Sequence, residues 1–137
     1  MTCAHCKGIE SMFDRRQAAR ELRRYRRRGP NKVTLAFVEA LRREGVAGAT
    51  VLDIGAGVGS VAHGLIDAGA SLATDVDASA AYLDAARSEA ERRGHADRMV
   101  FHHDRNVGEL EVLSGVQFVA TGRHKNLHGN IHIISDS

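Results

Sequence analysis

Residues 51–60 read VLDIGAGVGS. A short apolar run ends in an acid, Asp53, and passes at once into glycines at alternate positions, Gly55, Gly57 and Gly59. Glycine has no Cβ, so it permits sharp turns and lets a ligand come close to the backbone. At a strand-to-helix turn the first N–H groups of the helix also face that ligand. A phosphate-binding loop is the first reading, and two features argue against it. The dinucleotide fingerprint is G-x-G-x-x-G, whereas here the pattern is G-x-G-x-G and Ser60 takes the third glycine's place. An anionic Asp53 would also repel a pyrophosphate, and no Gly-Lys-Ser/Thr of a Walker loop follows. The loop suits a ligand with a cationic group near the strand end and a ribose further along.

The flanking sequence alternates between two rhythms. ATVLDIG, SLATDVD and RMVFHHD read as buried strands, separated by the helical runs SVAHGLIDAG and SAAYLDAARSEAERRG. In the second helix Ser79 is a cap, Glu89 and Arg93 form an i,i+4 pair, and Gly94 is a stop. This βαβαβ order predicts a parallel sheet with right-handed crossovers and strand order 3-2-1. Two helices precede it. SMFDRRQAARELRRYRRR, from Ser11, ends at Gly29-Pro30, because proline disfavours the helical conformation in the residue before it. VTLAFVEALRREG carries Leu35, Val38 and Leu41 on one stripe and stops at Gly45. After residue 105 the patterning fades: NVGELEVL is a helix candidate, GVQFVAT a strand candidate, and GRHKNLHGNIHIISDS fits no element. The expected organisation is a basic helical segment (1–32), a cofactor-binding α/β domain (33–120) and an unpatterned tail (121–137).

The run from Asp53 to Gly59 resembles, without a gap, the D-x-G-x-G-x-G signature of class I S-adenosylmethionine-dependent methyltransferases. S-adenosylmethionine has the ammonium, sulfonium and ribose that the loop calls for. The resemblance implies a Rossmann-like methyltransferase fold and cofactor contacts from Asp53, Gly55, Ala56, Gly57 and Gly59. It also implies a ribose-binding acid about 20 residues on. Asp77, 22 residues after Gly55 and followed by Ala78 and Ser79, fits that place, with Asp75 as the second candidate. An adenine contact is implied at the end of the third strand, where FHHDRN offers Asp104 without the family's preceding glycine. The order CxHCxGIE…FD…ELRRYRRRGP extends the likeness, over about residues 3–104, to actinobacterial magnesium-protoporphyrin O-methyltransferase-like proteins. Beyond that the family's later strands have no visible counterpart. The expectation is the N-terminal half of the fold only, from a truncated or frame-shifted product in preference to a divergent C-terminus, with little methyl transfer by the chain alone. No general base is identifiable.

Composition adds bounds. The chain has 137 residues, 43% hydrophobic and 26% charged, enough for one modest core that is mostly aliphatic because aromatics are 4%. No apolar run approaches the ~20 residues of a membrane span. The absence of a signal-like h-region and the presence of only two cysteines predict a cytoplasmic location. Net charge is +2, yet residues 15–28 hold eight arginines and one glutamate. A solvated helix face is the plain reading. A nucleic acid, an anionic lipid and an anionic small molecule, such as a methyl acceptor, are the alternatives, and Tyr25 is the single aromatic there for base stacking. Cys3, His5 and Cys6 form one CxHC, half of a zinc site; no metal is expected. His124, His128 and His132 are spaced four apart in the tail. His63 is expected to be partly exposed. His102 and His103 face opposite ways; a structural role is the plain reading for both, and reach of one to the cofactor rim is the alternative.

Overall fold

The computed structural model describes residues 4–103, 118–121 and 130–133. Two helices, α1 (Ala4–Arg28) and α2 (Lys32–Arg43), precede β1 (Thr50–Ile54). Then follow α3 (Ser60–Asp67), β2 (Leu72–Asp77), α4 (Ala80–Arg93), a 3-10 turn (Ala96–Arg98) and β3 (Met99–His103). Two short strands, β4 (Phe118–Thr121) and β5 (Asn130–Ile133), complete one sheet in the order β3-β2-β1-β4-β5. β1 pairs in parallel with β2 and β4, β2 pairs in parallel with β3, and β5 runs antiparallel to β4. The 3-2-1 order arises because each short βαβ connection sets consecutive strands side by side.

Local chemistry sets the ends. Asn31 accepts the Thr34 N–H (2.8 Å) to start α2. Ser79 caps α4 through Tyr82 N (3.4 Å), and Gly94 ends it in the left-handed region (φ 73°). One core cluster joins Leu41, Val46, Val51, Leu65, Ile66, Ala73 and Met99. A second holds α1 against α4 through Ala18, Tyr25, Tyr82 and Ala85. At Gly64 a Cβ would come 2.8 Å from Val38 Cγ2, so the missing side chain lets α2 lie close on α3.

The structure departs from sequence expectation in several places. α1 starts at Ala4 instead of Ser11; Gly8 is the one weak helix former in the added turns and costs about 1 kcal/mol. On the α2 stripe Leu41 is buried and Val38 packs on the core, but Leu35 is 54% exposed. Its turn precedes the contact at Gly64 and stays largely open to solvent. β4 falls within the GVQFVAT candidate and covers the free side of β1. β5 arises in the stretch that shows no pattern: a four-residue edge strand draws its stability from pairing with β4, which periodicity does not register. The NVGELEVL candidate lies outside the described residues. Among the described residues no helix is long and apolar enough to cross a membrane.

Candidate cofactor site

The carboxyl edge of β1 and β2 carries the glycine loop. Gly55, Gly57 and Gly59 all have positive φ (71°, 58° and 84°), a conformation that side chains oppose. Four of the loop's N–H groups are already engaged. Gly55 and Ala56 donate to the Val76 carbonyl (2.8 and 3.3 Å), Gly59 donates to Ala56 (2.9 Å), and Gly57 donates to Asp77 Oδ2 (3.0 Å). The glycines therefore make a turn that folds onto β2, and these four N–H groups are not offered to a phosphate. This agrees with the spacing and with Asp53.

Asp77 is the pivot of the edge. Its second oxygen accepts the Ser79 N–H (2.8 Å), so one carboxylate ties the loop to the start of α4. Asp53 is buried, and its Oδ2 has no hydrogen-bond partner. Burial pushes its carboxyl up to about 7, helped by the Asp77 charge and opposed by the Ala62 backbone N–H. Asp75 lies beside Asp53 in the β1–β2 register and is fully buried. Burial, then the charges of Asp53 and Asp77, hold its carboxyl well above the usual range.

A cavity of about 480 Å³ opens over the loop, lined on one side by Asp53, Gly55, Ala56 and Gly57. Gly59, Asp75 and Asp77 are not among its lining residues. The opposite wall comes from α1 and the α1–α2 turn: Glu21, Arg24, Tyr25, Pro30, Asn31 and Thr34. Sequence reading missed this wall. The signal is present, since Glu21, Arg24 and Tyr25 share a helix face at i, i+3, i+4, but it does not say what that face meets. Ala78 is exposed at the same edge, and its carbonyl bonds His103 Nε2 (2.9 Å), so His103 is the member of the histidine pair that reaches the rim. Asp104, Cys3, His124 and His128 lie outside the described residues, as do the side chains of His5, Cys6 and His132. Among the described residues no cluster of three or more His, Cys, Asp or Glu is arranged to hold a metal.

The basic helix is less free than its sequence suggests. Glu89 is fully buried and receives Arg26 (2.7 Å), Arg92 (2.7 Å) and Arg93 (2.9 Å). Burial raises its carboxyl, but the hydrogen bonds from Arg92, Arg26 and Arg93 outweigh this and hold it at about 2. Tyr25 is buried under the Arg93 guanidinium, 5.0 Å from the ring centre, and so is not presented to stack on a base. The expectation of a partly exposed His63 is also overturned. It is fully buried, because Tyr25 of α1 stacks on the imidazole (6.1 Å between centroids) and the His95 ring lies against it (5.5 Å).

The same arrangement of strands and helices recurs in solved methyltransferases. A Methanococcus maripaludis protein assigned as S-adenosylmethionine-dependent aligns over 80% of this chain and 50% of its own, at TM-score 0.65 and 16% identity. A Thiobacillus denitrificans methyltransferase, crystallised with S-adenosyl-L-homocysteine, aligns over 67% of this chain and 36% of its own, at TM-score 0.58 and 27% identity. An RNA methyltransferase from Salinibacter ruber, also with S-adenosyl-L-homocysteine, aligns over 67% and 58%, at TM-score 0.57 and 18% identity. No protein-family model and no curated protein matches the sequence. The fold is that of the class I S-adenosylmethionine-dependent methyltransferases. The chain spans between about a third and just over half of the length of the three structures.

Proposed function

We propose that the chain binds S-adenosylmethionine over the loop and serves methyl transfer to a small-molecule acceptor bearing anionic groups. The observation that carries this is Asp53: a buried carboxylate with an orphaned oxygen, at a cavity where the N–H groups of Gly55, Ala56, Gly57 and Gly59 are already engaged. Such a site disfavours a phosphate and suits a cationic ligand atom. In this reading Asp53 takes the ammonium, Gly55, Ala56, Gly57 and Gly59 shape the floor, and Asp77 with Ala78 receives the ribose. Asp104 remains the adenine candidate. The cofactor supplies an activated methyl on a sulfonium, transferred by in-line displacement. The chain's own residues bind, orient and exclude water, which is where the barrier is lowered when no strong acid is needed.

The acceptor reading rests on Arg24, an exposed cation on the cavity wall that faces the loop, and on the likeness to magnesium-protoporphyrin O-methyltransferase-like proteins. A nucleic-acid acceptor draws less support, because Tyr25 is buried and Arg26 is committed to Glu89. A cytoplasmic location accompanies the reading. Titration calorimetry with S-adenosyl-L-homocysteine is the test: binding that Asp53→Ala weakens ten- to a hundredfold supports it, and no measurable binding by the parent chain refutes it.

A further inference from the structure

Across the cavity from the glycine loop stands an acid that the cofactor reading leaves without a task. Glu21 lies on α1, half-buried, and lines the same cavity as Asp53. Its Oε1 accepts the hydrogen of the Tyr82 hydroxyl (2.9 Å). Tyr82 belongs to the first turn of α4, which starts directly after Asp77, Ala78 and Ser79. The bond therefore ties Glu21 to the β2–α4 junction while its side chain still lines the cavity over the β1 loop. Tyr82 is buried, and burial, then the hydrogen bond and charge of Glu21, push its hydroxyl above the usual phenol range, so it stays a donor. Among the described residues no cation is paired with Glu21.

The residues lining the cavity include two acids and one base: Asp53, Glu21 and Arg24. The acids stand on opposite walls. Asp53 is 2% exposed, with Oδ2 unpartnered, and in the cofactor reading it takes the ammonium. S-adenosylmethionine has a second positive centre, the sulfonium, placed between the ammonium and the ribose. Glu21 is the acid left to act on it. Arg24 opposes this from the same wall, but it is exposed, so water and salt screen it. Glu21 is half-buried and held by Tyr82, so its charge is the better fixed of the two.

We propose that Glu21 is a specificity residue that favours the charged cofactor over the spent one. S-adenosylmethionine and S-adenosyl-L-homocysteine share the ammonium, carboxylate, ribose and adenine. They differ in the methyl group and in the positive charge it places on sulfur. Contacts to the shared parts, that of Asp53 included, hold both forms. A fixed carboxylate on the cavity wall acts on the sulfur charge through space and needs no contact with it. It favours the sulfonium form and loses that attraction once the methyl is gone, which helps fresh cofactor to replace spent cofactor. The inference deepens the cofactor reading and rests on it.

Titration calorimetry of both ligands with wild type and Glu21→Gln, at about pH 8, is the test. Glutamine keeps the shape and still accepts the Tyr82 hydrogen, so the charge alone is removed. Specificity is a difference of two affinities. The preference for S-adenosylmethionine over S-adenosyl-L-homocysteine is expected to fall by about three- to tenfold, the first ligand losing affinity and the second changing by less than about twofold. Glu21→Ala combined with Tyr82→Phe removes the charge without stranding the hydroxyl, and the same fall in the ratio is expected. An unchanged ratio overturns the proposal. If both affinities are kept, Glu21 is only the partner of Tyr82; if both fall together, it is a contact to the shared parts. A parent chain that binds neither ligand refutes the cofactor reading and this inference with it, whereas binding of both with an unchanged ratio refutes this inference alone.

Discussion

Asp53→Asn is expected to make the protein more stable and a poorer binder. In the folded state the Asp53 carboxyl is raised from 3.8 to about 7, chiefly by burial. A raised folded value means that the folded chain holds the proton more tightly than the unfolded chain. The contribution to stability is therefore full below about pH 4, declines as pH rises, and is lost above about pH 7. At ~1.4 kcal/mol per unit, the loss amounts to about 4 kcal/mol. Asparagine has the same shape and can still accept the Ala62 N–H, but its amide hydrogens go unpaired where Asp53 Oδ2 lies, at a cost of ~1–3 kcal/mol. The net gain at about pH 8 is about 2 kcal/mol, or some 6–10 °C in Tm for a domain of this size. At about pH 5 the carboxyl is protonated in the folded state and the gain shrinks to nearly nothing. Urea or thermal unfolding of both proteins at the two pH values measures this, and calorimetry should show S-adenosyl-L-homocysteine bound ten- to a hundredfold more weakly by the variant. A variant no more stable than wild type at pH 8, or a gain equal at both pH values, refutes the picture of Asp53 as a strained, buried carboxylate held for a ligand.

Asp77→Ala frees the N–H groups of Gly57 and Ser79; we expect ~1–3 kcal/mol less stability in denaturant unfolding and at least a tenfold loss of cofactor affinity. Gly59→Ala forces a Cβ against Asp75 and His63 at φ 84°, and the expected loss is ~1–3 kcal/mol; an unchanged urea midpoint would contradict the geometry. Glu89→Gln removes the charge that gathers Arg26, Arg92 and Arg93, at a cost of about 2 kcal/mol. Because the folded Glu89 is depressed to about 2 from 4.5, wild type's advantage is present above about pH 4.5 and vanishes as pH falls toward 2. A difference that persists undiminished at pH 2 would show that it comes from packing.

The sequence by itself determined the features that depend on neighbours along the chain. Period and length separated the strands from the helices around VLDIGAGVGS, and the short connections then set β1, β2 and β3 side by side in sequence order. The glycine turn, the acids at the ends of β1 and β2, the Ser79 cap and the Gly94 stop all follow from what one residue can do to the backbone beside it. Only the tertiary structure decided what each amphipathic face meets. The arginine-rich α1 reads as a solvated helix, yet packing on α4 buries Tyr25, draws Arg26 onto Glu89 and makes Glu21 and Arg24 a wall of the cavity. His63 carries no mark of burial, Asp75 no mark of isolation, and β5 no pattern at all. Burial, desolvation and edge pairing are set by elements distant in sequence, and the free energy of a side chain in such a place belongs to the contact, which no local spacing records.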